Sequence, residues 1–273
     1  SHPKPSQINN RKKLNDASSS TSNNDNDTLK QKQKFDQLYP KFGIIAAIEH
    51  KSRLIGYNNA IPWCIPQDRA HFMNITRDKI IIIGRVSFYD ECTDFSHLSH
   101  VRHTIVLSTT MQEGFLIDHI KKVNKESNKV HSMHLARSFN EALRIAKTIQ
   151  HDENDNETKQ NIIQQPPRQQ QNKENFLDCW ICGGPRVYEE AIRHPKAKEI
   201  QLTMVHTHTE LNAKDLSSAS FFPPNYLWDT KFPQVKSLKR NGTVVINKND
   251  VNFSFHVYRK KMPDKKKTGK GVC

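Results

Sequence analysis

In the stretch Ile61-Pro-Trp-Cys-Ile-Pro-Gln-Asp-Arg-Ala-His-Phe-Met-Asn-Ile-Thr76, Asp68, Phe72 and Ile75 fall at spacings i, i+4 and i+7. A helix is expected to begin at Pro66, because proline suits a first turn, where its missing N–H has no partner to lose. On that helix the three residues share one face, apolar except for a carboxylate near its start. A buried carboxylate needs a partner, since an unpaired buried charge is costly. Two roles stay open for Asp68 at this point. It caps the helix dipole, or it receives charge-assisted hydrogen bonds from a ligand.

Two further segments bear on a ligand. Ile83-Gly84-Arg85-Val86-Ser87 and Cys182-Gly183-Gly184-Pro185-Arg186 each read as a turn from strand to helix. Glycine there lets backbone approach a ligand closely, while free N–H groups and a helix dipole attract an anion. Either turn alone is as well explained by tight geometry. Two of them, each with an arginine, suit a ligand with two separated phosphates, such as a dinucleotide. The third strand runs into Leu107-Ser108-Thr109, which offers hydroxyls and no acid for a ribose 2′-OH. That pattern favours a 2′-phosphate, hence NADP, although the G-x-G-x-x-G fingerprint is absent.

These residues need elements to position them. Gly43–Ile48 and Lys79–Ile83 are continuous small and apolar runs, as expected of strands buried on both faces. Leu54 to Ala60 reads as a loop, with Gly56 and Asn59 as turn formers. A short helix is expected over 87–91 and strands over 103–107 and 130–135. Ser138 is an N-cap for a helix whose apolar face is Ala142, Leu143, Ile145, Ala146 and Ile149. Phe176–Cys182 reads as a buried strand, Pro185 opens a helix, and Glu199–Thr207 alternates as a strand. The segment from Val244 to Tyr258 reads as a hairpin with a four-residue turn over 247–250. The alternation predicts a single-domain α/β fold, with a mainly parallel central sheet flanked by helices and an antiparallel C-terminal hairpin. In such sheets ligands bind at the carboxyl ends of the strands.

The chain has 273 residues, 35% of them hydrophobic, enough for one sizeable core. Its net charge of +14 is concentrated at the ends. Residues 1–34 hold seven basic and three acidic side chains, and residues 259–273 hold seven basic and one acidic. The globular part therefore has no evident basic face, which argues against nucleic acid as its partner. Residues 1–34, rich in Ser, Asn and Lys, are expected to be disordered, followed by a domain over 35–261 and a basic tail or linker start over 262–273. Inserts are expected at about 111–129, where no period is evident, and at 150–175, a Gln/Asn-rich surface excursion. Five cysteines make no disulfide framework, which points to a reducing compartment and a cytoplasmic location, with an organellar one still open. Cys179 and Cys182 match C-x-x-C, but within a strand they point to opposite faces, and no second pair completes a zinc site. No apolar stretch is long enough to span a membrane.

From Phe42 to Lys261 the sequence resembles dihydrofolate reductase. The matching pieces occur in family order: Ile44-Ile-Ala-Ala47, Ile55-Gly-x-x-Asn59-x-Ile-Pro-Trp63-x-Ile-Pro-x-Asp68, Phe72, Thr76, Ile83-Gly-Arg85, Ile105-Val-Leu-Ser108, Trp180-Ile-x-Gly-Gly-x-x-Val-Tyr188, Leu202-Thr203 and Phe222-Pro. The resemblance implies NADPH-dependent reduction of 7,8-dihydrofolate to tetrahydrofolate. It makes Asp68 the ionisable group on the pterin, Thr203 the hydroxyl that joins it, and Trp63 the holder of an ordered water. Ile45, Ile65, Phe72 and Arg102 map onto the folate cleft, with Arg102 facing the substrate's glutamate. Ala47, Ile55, Gly56, Asn59, Gly84, Arg85, Ser87, Leu107, Ser108 and Thr109 map onto the NADPH groove. So do Cys182, Gly183, Gly184, Arg186, Val187 and Tyr188. No metal is implied.

Two other classes compete. A same-fold pyrimidine reductase of riboflavin synthesis is disfavoured by Trp63 and by Asp68 within Pro-x-Asp. A non-catalytic protein binding through its basic tails is disfavoured by the match at each chemical position. Because some protists fuse this enzyme to thymidylate synthase, the lysine-rich end leaves such a fusion or association open.

Overall fold

Four successive isoleucines, Ile80 to Ile83, are almost completely inaccessible to solvent. Their side chains alternate between two cores: Ile80 and Ile82 join one apolar cluster, Ile81 and Ile83 the other. A strand buried on both faces has no polar side, so the run is uniformly apolar instead of alternating. A single Ile→Ala change within it would cost about 2–5 kcal/mol.

The computed structural model describes residues 21–92, 98–127, 132–161, 177–246 and 249–260. The chain divides into two units, residues 1–38 and 39–273. In the first, helix α1 spans Thr21–Leu38. In the second, in chain order, are β1 (Phe42–Glu49), β2 (Leu54–Gly56), α2 (Pro66–Thr76), β3 (Ile80–Gly84), α3 (Arg85–Cys92), β4 (His103–Leu107) and α4 (Glu113–Ser127). Then follow β5 (Ser132–Ala136), α5 (Phe139–Asn161), β6 (Cys179–Ile181), α6 (Pro185–Arg193) and β7 (Ala197–His206). The unit closes with α7 (Ala213–Ser218), β8 (Ser220–Phe221), a 3-10 turn (Asn225–Leu227), β9 (Gln234–Ile246) and β10 (Asn249–Arg259).

The main sheet has the order β5-β4-β3-β6-β1-β7-β10-β9. Strands β5 through β7 in that order are parallel, and the β9–β10 hairpin adds to β7 antiparallel. Register gathers the strand ends: Gly84 pairs with Leu107, and Leu107 with Ala136. The turns after β3, β4 and β5 therefore open at one edge of the sheet. One face packs on α5 and α6 through Phe139, Ala142, Leu143, Val187 and Ala191. The other packs on α3 and α4 through Phe88 and Leu116. A third cluster, Trp63, Ile65, Val205, Val251, Phe253 and Phe255, lies beside β7 and β10.

Several expectations differ from the structure. Thr21–Leu38 is helical where composition predicts disorder; its second half, Leu29 to Leu38, is dense in Lys, Gln and Leu, all good helix formers. Glu113–Ser127 is a helix, although residues 111–129 read as patternless. Phe115 and Ile117 are exposed on either side of buried Leu116, which blurred the apolar stripe. Helix α5 continues past Ile149 to Asn161, into the Gln/Asn-rich segment, where His151 and Asp155 pair at 3.1 Å along one face. The hairpin begins at Gln234 and pairs Asn249 with Ile246, so residues 249 and 250, expected in the turn, belong to β10. The expectations for residues 1–20, 162–176 and 261–273 lie outside the described residues. Cys179 and Cys182 pack toward different clusters, and burial pushes the Cys179 thiol up. No helix among the described residues is long and apolar enough to cross a membrane.

Candidate active site

Helix α2 starts at Pro66, with Ile65 extended before it and no side-chain cap. Asp68 lies in its first turn, yet its carboxylate is engaged elsewhere: it accepts a hydrogen bond from the Thr203 hydroxyl on β7. Asp68, Phe72 and Ile75 are all half-buried, so their shared face lines an open cleft and is not core. Burial raises the Asp68 carboxyl to about 6, against the opposing pull of the Thr203 bond. A helix cap on the surface would show the opposite shift, because the dipole favours the anion.

The other residues expected in the cleft lie on β1 and α2, in the segment before α2, and just before β4. Trp63 and Ile65 are buried in the cluster beside β7 and β10. The Trp63 indole N–H is buried and meets no acceptor among the described residues, so it is available to a bound molecule. Ile45 is buried on β1, and its carbonyl accepts the Tyr188 hydroxyl at 2.8 Å. Phe72 sets its ring edge-on to His100 at 5.7 Å, and the Thr76 hydroxyl lies 2.7 Å from His100 Nε2. Arg102 is ion-paired, its guanidinium 2.8 Å from Asp178 and 2.9 Å from Glu153.

Beside the cleft a groove of about 800 Å³ runs over the gathered strand ends. All sixteen residues expected to contact a dinucleotide line it. The two glycine turns meet directly: the Gly84 N–H donates to the Gly183 carbonyl at 2.7 Å. A Cβ on Gly84 would come within 3.1 Å of the Gly184 nitrogen, and one on Gly184 within 3.1 Å of Ser87 Oγ. Gly183 has φ +120°, a conformation that side chains disfavour. Arg85 and Arg186 are exposed on the rim, and Arg85 stacks over Tyr89 at 5.7 Å. The Ser108 hydroxyl accepts the Met111 N–H at 2.9 Å and so holds the turn after β4. Thr109 is exposed.

The groove also contains residues that sequence reasoning missed. Arg137 directly follows β5 and donates to the carbonyls of Ser108 (3.0 Å) and Met111 (2.7 Å). It follows a strand and precedes the Ser138 cap, a third strand-to-helix turn without the glycine that marked the other two. Tyr57 and Ala60 exchange backbone hydrogen bonds across Asn58 and Asn59, whose φ values are 50° and 56°. That geometry is a two-residue turn of primed type, which Asn tolerates. Asn58 is clamped from α7: its N–H donates to Ser218 Oγ at 3.0 Å and its amide to Asp215 at 2.9 Å. Only a long-range contact reveals this clamp, although Asn212 and Asp215 form a capping box.

Groove and cleft meet at Ala47. It lines the groove, packs against the Trp63 cluster, and is the sheet neighbour of Thr203, which holds Asp68. A dinucleotide in the groove and a ring on Asp68 would therefore touch at one place.

The chain has known relatives. Residues 41–145 match the family described as dihydrofolate reductase. A dihydrofolate reductase of Enterococcus faecium is 24% identical over 213 residues, spanning 78% of this chain and 93% of the relative. One of Buchnera aphidicola is 26% identical over 216 residues, spanning 78% and 96%. A dihydrofolate reductase type 3 of Salmonella typhimurium is 44% identical over 45 residues, spanning 16% of this chain and 27% of the relative. Residues 41–145 thus match the dihydrofolate reductase family, and the chain is similar to reductases of that name over 78% of its length.

Proposed function

We propose that this chain reduces 7,8-dihydrofolate to 5,6,7,8-tetrahydrofolate with NADPH. The observation that carries the reading is the half-buried Asp68 carboxylate, tied to Thr203, the sheet neighbour of the groove-lining Ala47. An ionised carboxylate accepts two parallel N–H bonds from an amidine-like edge, as a pterin presents. In a low-dielectric cleft that pairing fixes the ring's orientation and favours added positive charge on it. Protonation of N5 as C6 gains a hydride is such a charge. Bound NADPH supplies the hydride. The protein's own part is alignment of the two rings at Ala47 and exclusion of water.

The groove's residues fit NADPH. The Gly84–Gly183 approach leaves room that a Cβ would fill, and three arginines, 85, 137 and 186, line the groove. Arg85, Arg137 and Thr109 suit a 2′-phosphate. Trp63 offers its buried N–H to a water or to the substrate. None of the residues named for this chemistry falls within 1–38 or after 260, and the cytoplasm suits the free cysteines. Any association with thymidylate synthase would be read from co-purification of the two activities. The test of the reading is NADPH oxidation with and without dihydrofolate. Turnover that requires both substrates supports it; a protein that binds neither is not a reductase.

A further inference from the structure

A cluster of charges lies beyond the far end of α2, outside the groove. Arg102 directly precedes β4, and its N–H donates to the Lys79 carbonyl just before β3. The Lys79 ammonium lies 3.6 Å from Asp178 Oδ1, and Arg102 Nη2 lies 2.8 Å from Asp178 Oδ2. Glu153 Oε1 lies 2.9 Å from both Arg102 Nε and His103 Nε2. The His103 ring also contacts the Ser132 hydroxyl, which in turn lies 3.0 Å from His134 Nε2. Burial raises the Asp178 carboxyl and lowers the Lys79 ammonium. Two cations, Lys79 and Arg102, are thus matched by two carboxylates.

One of those carboxylates comes from an unexpected place. The apolar face of α5 ends at Ile149, and the helix continues as a polar extension. Glu153 is the residue this extension brings to the cluster. Its carboxylate lies against the Nε edge of Arg102 as an ion pair without an aligned hydrogen bond, while the adjoining Nη2 donates to Asp178. That edge is the one a carboxylate would grip with two parallel bonds.

The cluster borders the cleft. His100, two residues before Arg102, touches both half-buried Phe72 and buried Thr76 toward the C-terminal end of α2. A ring anchored at Asp68 and extended along α2 past Phe72 ends at this segment, about 12 Å away by helix rise. Resting on the dihydrofolate reading, we propose that Glu153 is a specificity-determining positioning residue. It holds the Arg102 guanidinium and competes with the carboxylates of the substrate's glutamate tail. The α5 extension thereby weakens the grip on tailed substrates and leaves the pterin end untouched.

The test compares steady-state kinetics on dihydrofolate and on a tail-less 6-methyl-dihydropterin, for wild type, Glu153→Gln and Glu153→Ala. Both variants are expected to lower KM for dihydrofolate by about two- to five-fold, with the change falling on KM and not on kcat. The gain should shrink with added salt and disappear in an Arg102→Gln background, and KM for the tail-less substrate should hold. An unchanged or raised KM for dihydrofolate overturns the proposal, as does a parallel shift for both substrates, which would mark a merely structural role. Wild type that turns over both substrates with no effect of Glu153→Gln refutes this inference alone. Wild type inert toward dihydrofolate refutes the reductase reading, and this inference with it.

Discussion

The Thr203 hydroxyl on β7 donates a hydrogen bond to the Asp68 carboxylate on α2, so the sheet itself orients this acid. This bond favours the anion, but burial outweighs it and raises the carboxyl from 3.8 to about 6. At neutral pH the folded protein holds a desolvated charge, at a cost of up to about 3 kcal/mol.

Asp68→Asn should therefore stabilise the fold at pH 7. The folded pKa is above the unfolded one, so the wild-type contribution is fully favourable below pH 3.8 and is lost as pH rises through about 6. The variant's advantage should be nil near pH 3.5, grow across that window and level off above it at up to about 3 kcal/mol. Urea denaturation from pH 3.5 to 7.5 reads this directly. A variant less stable than wild type at pH 7 would mean that Asp68 serves the fold.

Much of this site was legible in the sequence because the chemistry sits on short, local signals. Gly84 and Gly183–Gly184 end apolar runs, Pro66 marks a helix start, and Asp68 interrupts an apolar spacing. Parallel register then does the rest by aligning strand ends, as Gly84, Leu107 and Ala136 show. What was not legible depends on partners distant in sequence. Arg137 has no glycine beside it, and Asn58 gains meaning only from Ser218 and Asp215. Arg102 could be placed by spacing, but its pairing with Glu153 depends on a helix extension that composition does not predict. The long α1 and α4 escaped for a related reason: exposed Phe115 and Ile117 obscure α4's stripe, and α1 has almost no stripe to find.

Gly84→Ala places a methyl 3.1 Å from the Gly184 nitrogen and 3.2 Å from Val187. Backbone cannot move aside as a flexible side chain can, so the two turns must separate. The expected result is an NADPH dissociation constant raised about ten-fold or more, with a stability loss of about 1–3 kcal/mol. Cofactor fluorescence titration and thermal unfolding, run together, check both. Unchanged NADPH affinity would remove the turn from the cofactor site.

Arg137→Gln should narrow the preference for NADPH over NADH. Loss of one charged hydrogen bond to a 2′-phosphate costs about 1.5–3 kcal/mol, so the ratio of kcat/KM for the two cofactors should fall at least ten-fold, about the size of that loss. NADH kinetics should change little. An equal loss with both cofactors would assign Arg137 to holding the Ser108–Met111 turn instead.

Asn58→Ala removes the side-chain link from the Tyr57–Ala60 turn to Asp215. The turn lines the groove, so its release should lower kcat/KM by about three- to ten-fold and shift both kcat and KM. Stability should change by less than about 1 kcal/mol, because the bond is exposed. A matching effect is expected from Asp215→Ala, and the double variant should be no worse than either single one. Additive losses would show that the two residues act separately.

The most direct test of the reductase reading is turnover of dihydrofolate with NADPH by Asp68→Asn at neutral pH, beside wild type and with circular dichroism on both. The amide keeps the shape and the oxygen that accepts from Thr203, but its NH₂ faces a second donor on the pterin. A folded variant with kcat/KM lowered by roughly two orders of magnitude or more is the predicted result. A folded variant that turns over dihydrofolate at the wild-type rate would contradict the account and leave Asp68 as a helix cap.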